Sequence, residues 1–301
     1  MKFANGTFTG TGASKIIDTV GFKPELVIIR VNSATALTST SFRVASMTGD
    51  KTASLFGSIA NFAGGITSLN ENGFTVGTGV ECNENLKTVY WVAFAKDGSN
   101  DFDTGTYVGN ATAGRTIAVN GFDPGLVVTK KDSTSRPRWK IAANITTDCL
   151  SFENNTISGL GTNLITAFST GGGNTFTLGS ETAVNENTLT FYWFAFKTNT
   201  QYFTSGTYVG TGSSLDITGL EFTPVMAWIK VDFTDNAVQR VPDQTGTDSW
   251  KSFGTTVAVG QVITSFNGRG FTVGTDQTAN NSGKTFYYAV WGRSLVKRTV
   301  I

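Results

Sequence analysis

The chain has 301 residues, a formal net charge of +1, 15% charged residues and no histidine. That length suits two or three domains. The near-zero charge supplies no field to steer the chain to nucleic acid or an acidic membrane, and no basic stripe is visible. Without histidine there is no His-ligated metal, no Ser-His-Asp or Cys-His catalysis and no histidine switch near neutral pH. With 35 Gly beside 23 Phe, 7 Tyr and 6 Trp, the chain is too aromatic for disorder and suits short strands joined by turns.

In chain order, the first strand signal is GTFTG at 6–10, then Gly21-Phe22-Lys23-Pro24 leading into the apolar run LVIIRV from Leu26. Proline fixes its own φ and disfavours helix in the residue before it, so Phe-x-Pro opens an extended segment and the Phe becomes a core anchor. Ile66-Thr67-Ser68-Leu69 and GFTVG at 73–77 read as a hairpin, the glycine supplying turn chemistry. YWVAFAK from Tyr90 follows. Val89, Trp91 and Ala93 share one of its faces and Tyr90, Val92 and Phe94 the other, which marks a central strand covered on both sides.

The same landmarks then return in the same order. GTYVG stands at 105–109 and 206–210, Gly121-Phe122-Asp123-Pro124 precedes LVVTK, and Glu221-Phe222-Thr223-Pro224 precedes VMAWIKV. Ile165-Thr166-Ala167-Phe168 with NTFTLG, and Ile263-Thr264-Ser265-Phe266 with GFTVG at 270–274, complete the hairpins before YWFAFK and YYAVWGR. Five landmarks repeated three times indicate duplication. The fold class expected is all-β, three tandem β-sandwich, jelly-roll-like repeats at 1–98, 99–199 and 200–301, each of seven or eight strands. Short linkers, 96–101 and 197–201, lead to an expectation of sandwiches that touch, each with its own core, either in a row or around a local threefold axis. One core running across the junctions near Ser99 and Thr200 would contradict it.

Cys82 and Cys149 fall at unrelated places in their repeats, so free buried thiols are expected. MKFANGTFTG lacks the apolar stretch of a signal peptide, and no run approaches the roughly 18 apolar residues of a membrane span, so synthesis in a cytoplasm is expected. No catalytic residue, metal ligand or cofactor site can be assigned. The candidate contact residues are Arg136, Arg138 and Trp139 in the most basic stretch, Trp250, and Glu84 and Glu186 in the loops Asn83-Glu84-Asn85 and Asn185-Glu186-Asn187. Trp139, Trp228 and Trp250 on exposed loops would stack on sugar rings. The oxygen-rich loops fit either Ca²⁺ or glycan hydroxyls, or simple polar turns, and the third copy, Asn280-Asn281-Ser282, lacks the carboxylate. Glu81, Glu181 and Asp276 do not read as a glycosidase pair. Arg293–Ile301 either finishes an edge strand or adds one to a neighbouring subunit.

The G-T-Y-x-G opening of Gly105-Thr106-Tyr107, the turn Gly121-Phe122-Asp123-Pro124-Gly125-Leu126-Val127 and the hairpin Ile263–Phe266 with Gly270–Gly274 resemble a repeat domain of bacteriophage tail-fibre and other tail-associated virion proteins. The resemblance covers all three copies and departs at Glu221, where the pattern has Gly. It implies a non-enzymatic structural role on the particle exterior: tail, baseplate or collar accessory, short fibre or head decoration. The partners implied are other virion proteins and a host surface glycan or receptor, with no nucleic acid, membrane or cofactor. The alternative reading is a carbohydrate-binding adhesin module.

Overall fold

The computed structural model of the chain describes residues 1–34, 39–143, 149–153, 163–199, 201–232, 234–254 and 258–294. Residue 200, beside which the second junction was expected, and residues 295–301 of the C-terminal segment lie outside them. Unit one comprises β1 (Lys2–Thr9), β2 (Lys15–Ile17), β3 (Leu26–Val31), β4 (Ser41–Val44), β5 (Ala53–Ser54), β6 (Ile66–Asn70), β7 (Gly73–Val76) and β8 (Thr88–Ala95). Unit two has β9 (Phe102–Val108), β10 (Arg115–Ala118), β11 (Pro124–Lys131), β12 (Arg138–Ile141), β13 (Ile165–Phe168), β14 (Thr175–Leu178) and β15 (Thr190–Lys197). Unit three has β16 (Phe203–Val209), β17 (Leu215–Thr218), β18 (Phe222–Val231), β19 (Val238–Arg240), β20 (Ile263–Asn267), β21 (Gly270–Val273) and β22 (Thr285–Ser294).

Each unit is a sandwich of a larger and a smaller antiparallel sheet, ordered β1-β8-β3-β4-β5 and β2-β7-β6 in unit one. First strand lies beside last in the larger sheet, and second beside penultimate in the smaller, giving the nested pairing of a jelly-roll-like sandwich. The fold is all-β in three repeats. The only helices among the described residues are the single turns Val80–Asn83, Thr182–Asn185 and Gln277–Asn280.

The two glycines of GTxxG follow from close approach. Gly6, Gly105 and Gly206 face Trp91, Trp193 and Tyr288 across the sheet. A Cβ on Gly105 would lie 2.7 Å from the Trp193 ring, and one on Gly109 only 2.0 Å from the Glu186 carbonyl oxygen. The glycine that opens GFTVG has a similar reason rather than the turn geometry expected, because a Cβ on Gly73 would lie 1.8 Å from the Ile17 carbonyl. The glycine before Phe-x-Pro is different. Gly21 and Gly121 take φ of 84° and 80°, and unit three, with Glu221 there, moves the left-handed residue back to Gly219 at 88°. Phe122 and Phe222 are the buried anchors expected, whereas Phe22 is only half-buried.

The last strand of each unit is covered on both faces. Val89, Trp91 and Ala93 pack with Ile17, Ile66, Phe74 and Val76 between the two sheets of unit one. Val92 and Phe94 point the other way, into a cluster that also contains Phe102, Leu126, Trp139 and Phe196 of unit two and Phe203, Met226, Trp228 and Trp291 of unit three. One core therefore runs across both junctions. The expectation of a separate core in each sandwich is corrected, and of the two arrangements left open the chain takes the one around a common centre: the three larger sheets back onto it and the smaller sheets lie outside. The reason is the second apolar face of the larger sheets, which a lone two-layer sandwich leaves bare to water.

Candidate functional site

The most unusual environments are those of three buried cations, of which Arg30 and Lys130 reach across seams between units. Arg30, Lys130 and Lys230 follow one another at intervals of 100 near the ends of β3, β11 and β18, and all three are buried. Arg30 Nη1 donates to the Phe253 carbonyl of unit three at 3.0 Å, and its guanidinium lies 5.2 Å from the Trp250 ring centre. Lys130 Nζ donates to the Ile59 carbonyl of unit one at 2.9 Å and to the carbonyls of Lys131 and Ser133 at 3.1 and 2.8 Å. Burial, with Lys131 alongside, pulls the Lys130 ammonium down to about 7, and burial takes Lys230 to about 8 and Arg30 to about 9.

The surrounding contacts keep one rotational sense. Thr40 N–H of unit one donates to Phe253 of unit three at 2.8 Å, and Ala237 N–H of unit three to Phe152 of unit two at 3.1 Å. The matching residue of unit two is Pro137, which has no N–H to give. Asp132 of unit two instead accepts from Lys51 Nζ and Asn61 Nδ2 of unit one at 2.6 and 2.9 Å. Burial opposes ionisation of Asp132, but these donors outweigh it and hold its carboxyl below the usual range. Each unit thus grips the one before it, one on three, three on two, two on one. The three form a closed pseudo-threefold ring.

The residues picked from sequence fall into different settings. Trp139 and Trp250 are fully buried, as is Trp228, so none is an exposed platform for a sugar ring. Trp139 stacks on Phe152 at 5.3 Å and Trp250 meets Tyr90 of unit one edge-on at 5.5 Å, because the flanking β-bridges Trp139–Leu150 and Gln239–Trp250 turn both indoles inward. Arg138 is buried and its Nη1 donates to the Pro137 carbonyl at 3.1 Å. Arg136 stays partly exposed and pairs with Glu153. Glu186 pairs with Lys131, and Glu84 is half-buried in the corresponding loop of unit one.

In those loops the functional atom is the amide beside the carboxylate. Asn83, Asn185 and Asn280 are completely buried. Asn83 Oδ1 accepts from Thr11 N–H at 2.9 Å, and its Nδ2 donates to the Ala13 and Gly77 carbonyls at 2.6 and 2.8 Å. Asn185 and Asn280 repeat the pattern. These amides staple the first loop of a unit to its hairpin. Glu181 and Asp276 stand at the N-cap of the helical turns of units two and three and Glu81 lies within that of unit one, so the three carboxylates stand in three different units. Among the described residues no group of three or more Cys, Asp or Glu side chains could hold a metal ion, and no helix is long and apolar enough to cross a membrane.

Cys82 and Cys149 are buried thiols, neither in a disulfide. Cys149 stands where units one and three have Thr52 and Ser249: its sulfur accepts from Ile165 N–H at 3.1 Å, as their hydroxyls do from Ile66 and Ile263. Sequence reasoning missed the buried strand cations and the amide staples. A cation inside each of LVIIRV, LVVTKK and MAWIKV was the available signal, since an apolar strand seldom buries charge without a partner.

No curated protein matches the chain. A family model described as a domain of unknown function, DUF7483, matches residues 2–198 and again residues 198–296. The chain belongs to the DUF7483 family.

Proposed function

We propose that the chain is a non-catalytic structural protein on the exterior of a bacteriophage particle, packing against other virion subunits and contacting the host surface. The observation that carries this reading is the closed ring: three copies of one sandwich around one core make a rigid pseudo-trimeric block. Buried Arg30 and Lys130 are spent on seams, and Asp132, Glu153 and Glu186 on ion pairs. Such a block suits attachment to a larger assembly as an accessory, decoration or fibre tip. The resemblance of the GTYVG, GFDPGLV and ITSF–GFTVG segments to virion repeats supports the same reading. Mass spectrometry of purified particles of the encoding phage tests it, since the chain should be present in stoichiometric amount. Particles free of it would overturn the proposal.

A second reading, a carbohydrate-binding adhesin module, loses its buried indoles as platforms and needs another surface. An open cleft in unit two offers one.

A further inference from the structure

Between the two sheets of unit two lies a cleft of about 480 Å³, lined among others by Asp123, Lys140, Thr166, Phe168, Thr170 and Thr198. The copies differ here in lining rather than in the presence of a cleft: unit one has one of about 420 Å³ at the matching place, walled by charged residues such as Lys23, Glu25, Glu71 and Lys96, with Lys23 paired to Glu71. In unit three Arg240 lies 5.6 Å from the Phe266 ring and its Nη1 donates to the Ile263 carbonyl at 2.9 Å. In unit one Arg43 donates to the matching Ile66 carbonyl at 3.2 Å. Unit two has Lys140 at that position and Phe168 in place of Phe266, and the Phe168 ring, half-buried, lines the open space. The opposite wall is rigid. Asp123 accepts from Ser169 Oγ at 2.5 Å and from the N–H groups of Gly172 and Asn174, each at 2.8 Å, which fixes the 169–174 loop.

We propose that this cleft of unit two, and not its counterparts in units one and three, binds a neutral saccharide. An aromatic floor, the Thr170 and Thr198 side chains and the Asp123 carboxylate match a sugar, whose C–H face is apolar and whose rim is hydroxylated. A cleft of this volume takes one or two sugar rings, so weak affinity, on the order of 1 mM, is expected. The proposal rests on the carbohydrate reading for its ligand class and is independent of the virion reading.

The test is a titration of the full chain with maltotetraose and chitotetraose, followed by amide chemical shifts. Shifts should cluster at Phe168, Thr170 and Thr198, with none at Phe266 or Leu69. Phe168→Ala should weaken binding about tenfold, the loss of one aromatic stacking contact, and Phe168→Tyr should restore it. Thr198→Val, which leaves the aromatic packing intact, should weaken it several-fold. Absence of shifts with both sugars, equal shifts in all three units, or unchanged binding in both Phe168→Ala and Thr198→Val would overturn the assignment. Particle composition by mass spectrometry is unaffected by any of these outcomes, so the two readings fail separately.

Discussion

The outer cores and the shared core of this protein were filled by different rules. Between the sheets, the copies correspond almost residue for residue: Ile17, Ile117 and Ile217; Ile66, Ile165 and Ile263; Phe74, Phe176 and Phe271. At the common centre they do not. Ile28 and Val128 give way to Trp228, Val92 and Phe194 to Ala289, and Phe42 and Trp139 to Gln239. Each outer core must close by itself three times over, so each copy needs the same shapes. The centre closes only once for all three units, so bulk lost at Ala289 can be supplied by Trp228, whose ring contacts Trp139, Phe253 and Trp291. A polar residue is tolerated there when it reaches across a seam, as Gln239 does to the Thr40 hydroxyl.

The sharpest way to break this contrast is to cut into each kind of core. Trp228→Ala should cost about 3–5 kcal/mol and raise hydrogen exchange in all three units. Phe271→Ala should cost a similar amount while raising exchange first in β20 and β21 alone. Equal, unit-confined effects would remove the distinction. Next in size, Gly109→Ala sets a methyl against backbone rather than a movable side chain, so a loss of about 1–3 kcal/mol is expected in chemical denaturation, with little relief from any second-site change.

The compensation can be measured as well. Ala289→Val overpacks and Trp228→Ile underpacks the centre, and together they restore the residues found in unit one. A double-mutant cycle should give a favourable coupling of about 0.5–3 kcal/mol; additivity would mean that the two positions do not share space. The last is a pH effect at the seam of units one and two. The folded Lys130 titrates near 7, below the roughly 10.4 of an unfolded lysine, so the unfolded chain holds more protons between these values. Stability should rise with pH across that window, and Lys130→Met should flatten the rise. Asp132, lowered on folding, acts at the other end: its contribution is complete above the unfolded value of about 3.9 and fades as pH falls through the lower folded value.

The strands and their two-faced character were legible because period-two alternation and repetition both write themselves into sequence. Val89, Trp91 and Ala93 against Val92 and Phe94 is the clearest instance. Ring closure was not legible. It depends on where two apolar faces meet, and Trp228 opposite Ala289 carries no periodic signal. The indoles of Trp139 and Trp250 misled for a related reason: they lie outside the shared landmarks because the centre is asymmetric, not because they are exposed. Asn83 looked like a turn residue, and only the folded chain shows its amide bridging Thr11, Ala13 and Gly77.

Differential scanning calorimetry of the intact chain tests the shared core most directly. A common centre makes the three units unfold together, in one transition whose calorimetric and van't Hoff enthalpies agree. Two or three separable transitions, each with the enthalpy of a unit of roughly 100 residues, would contradict it.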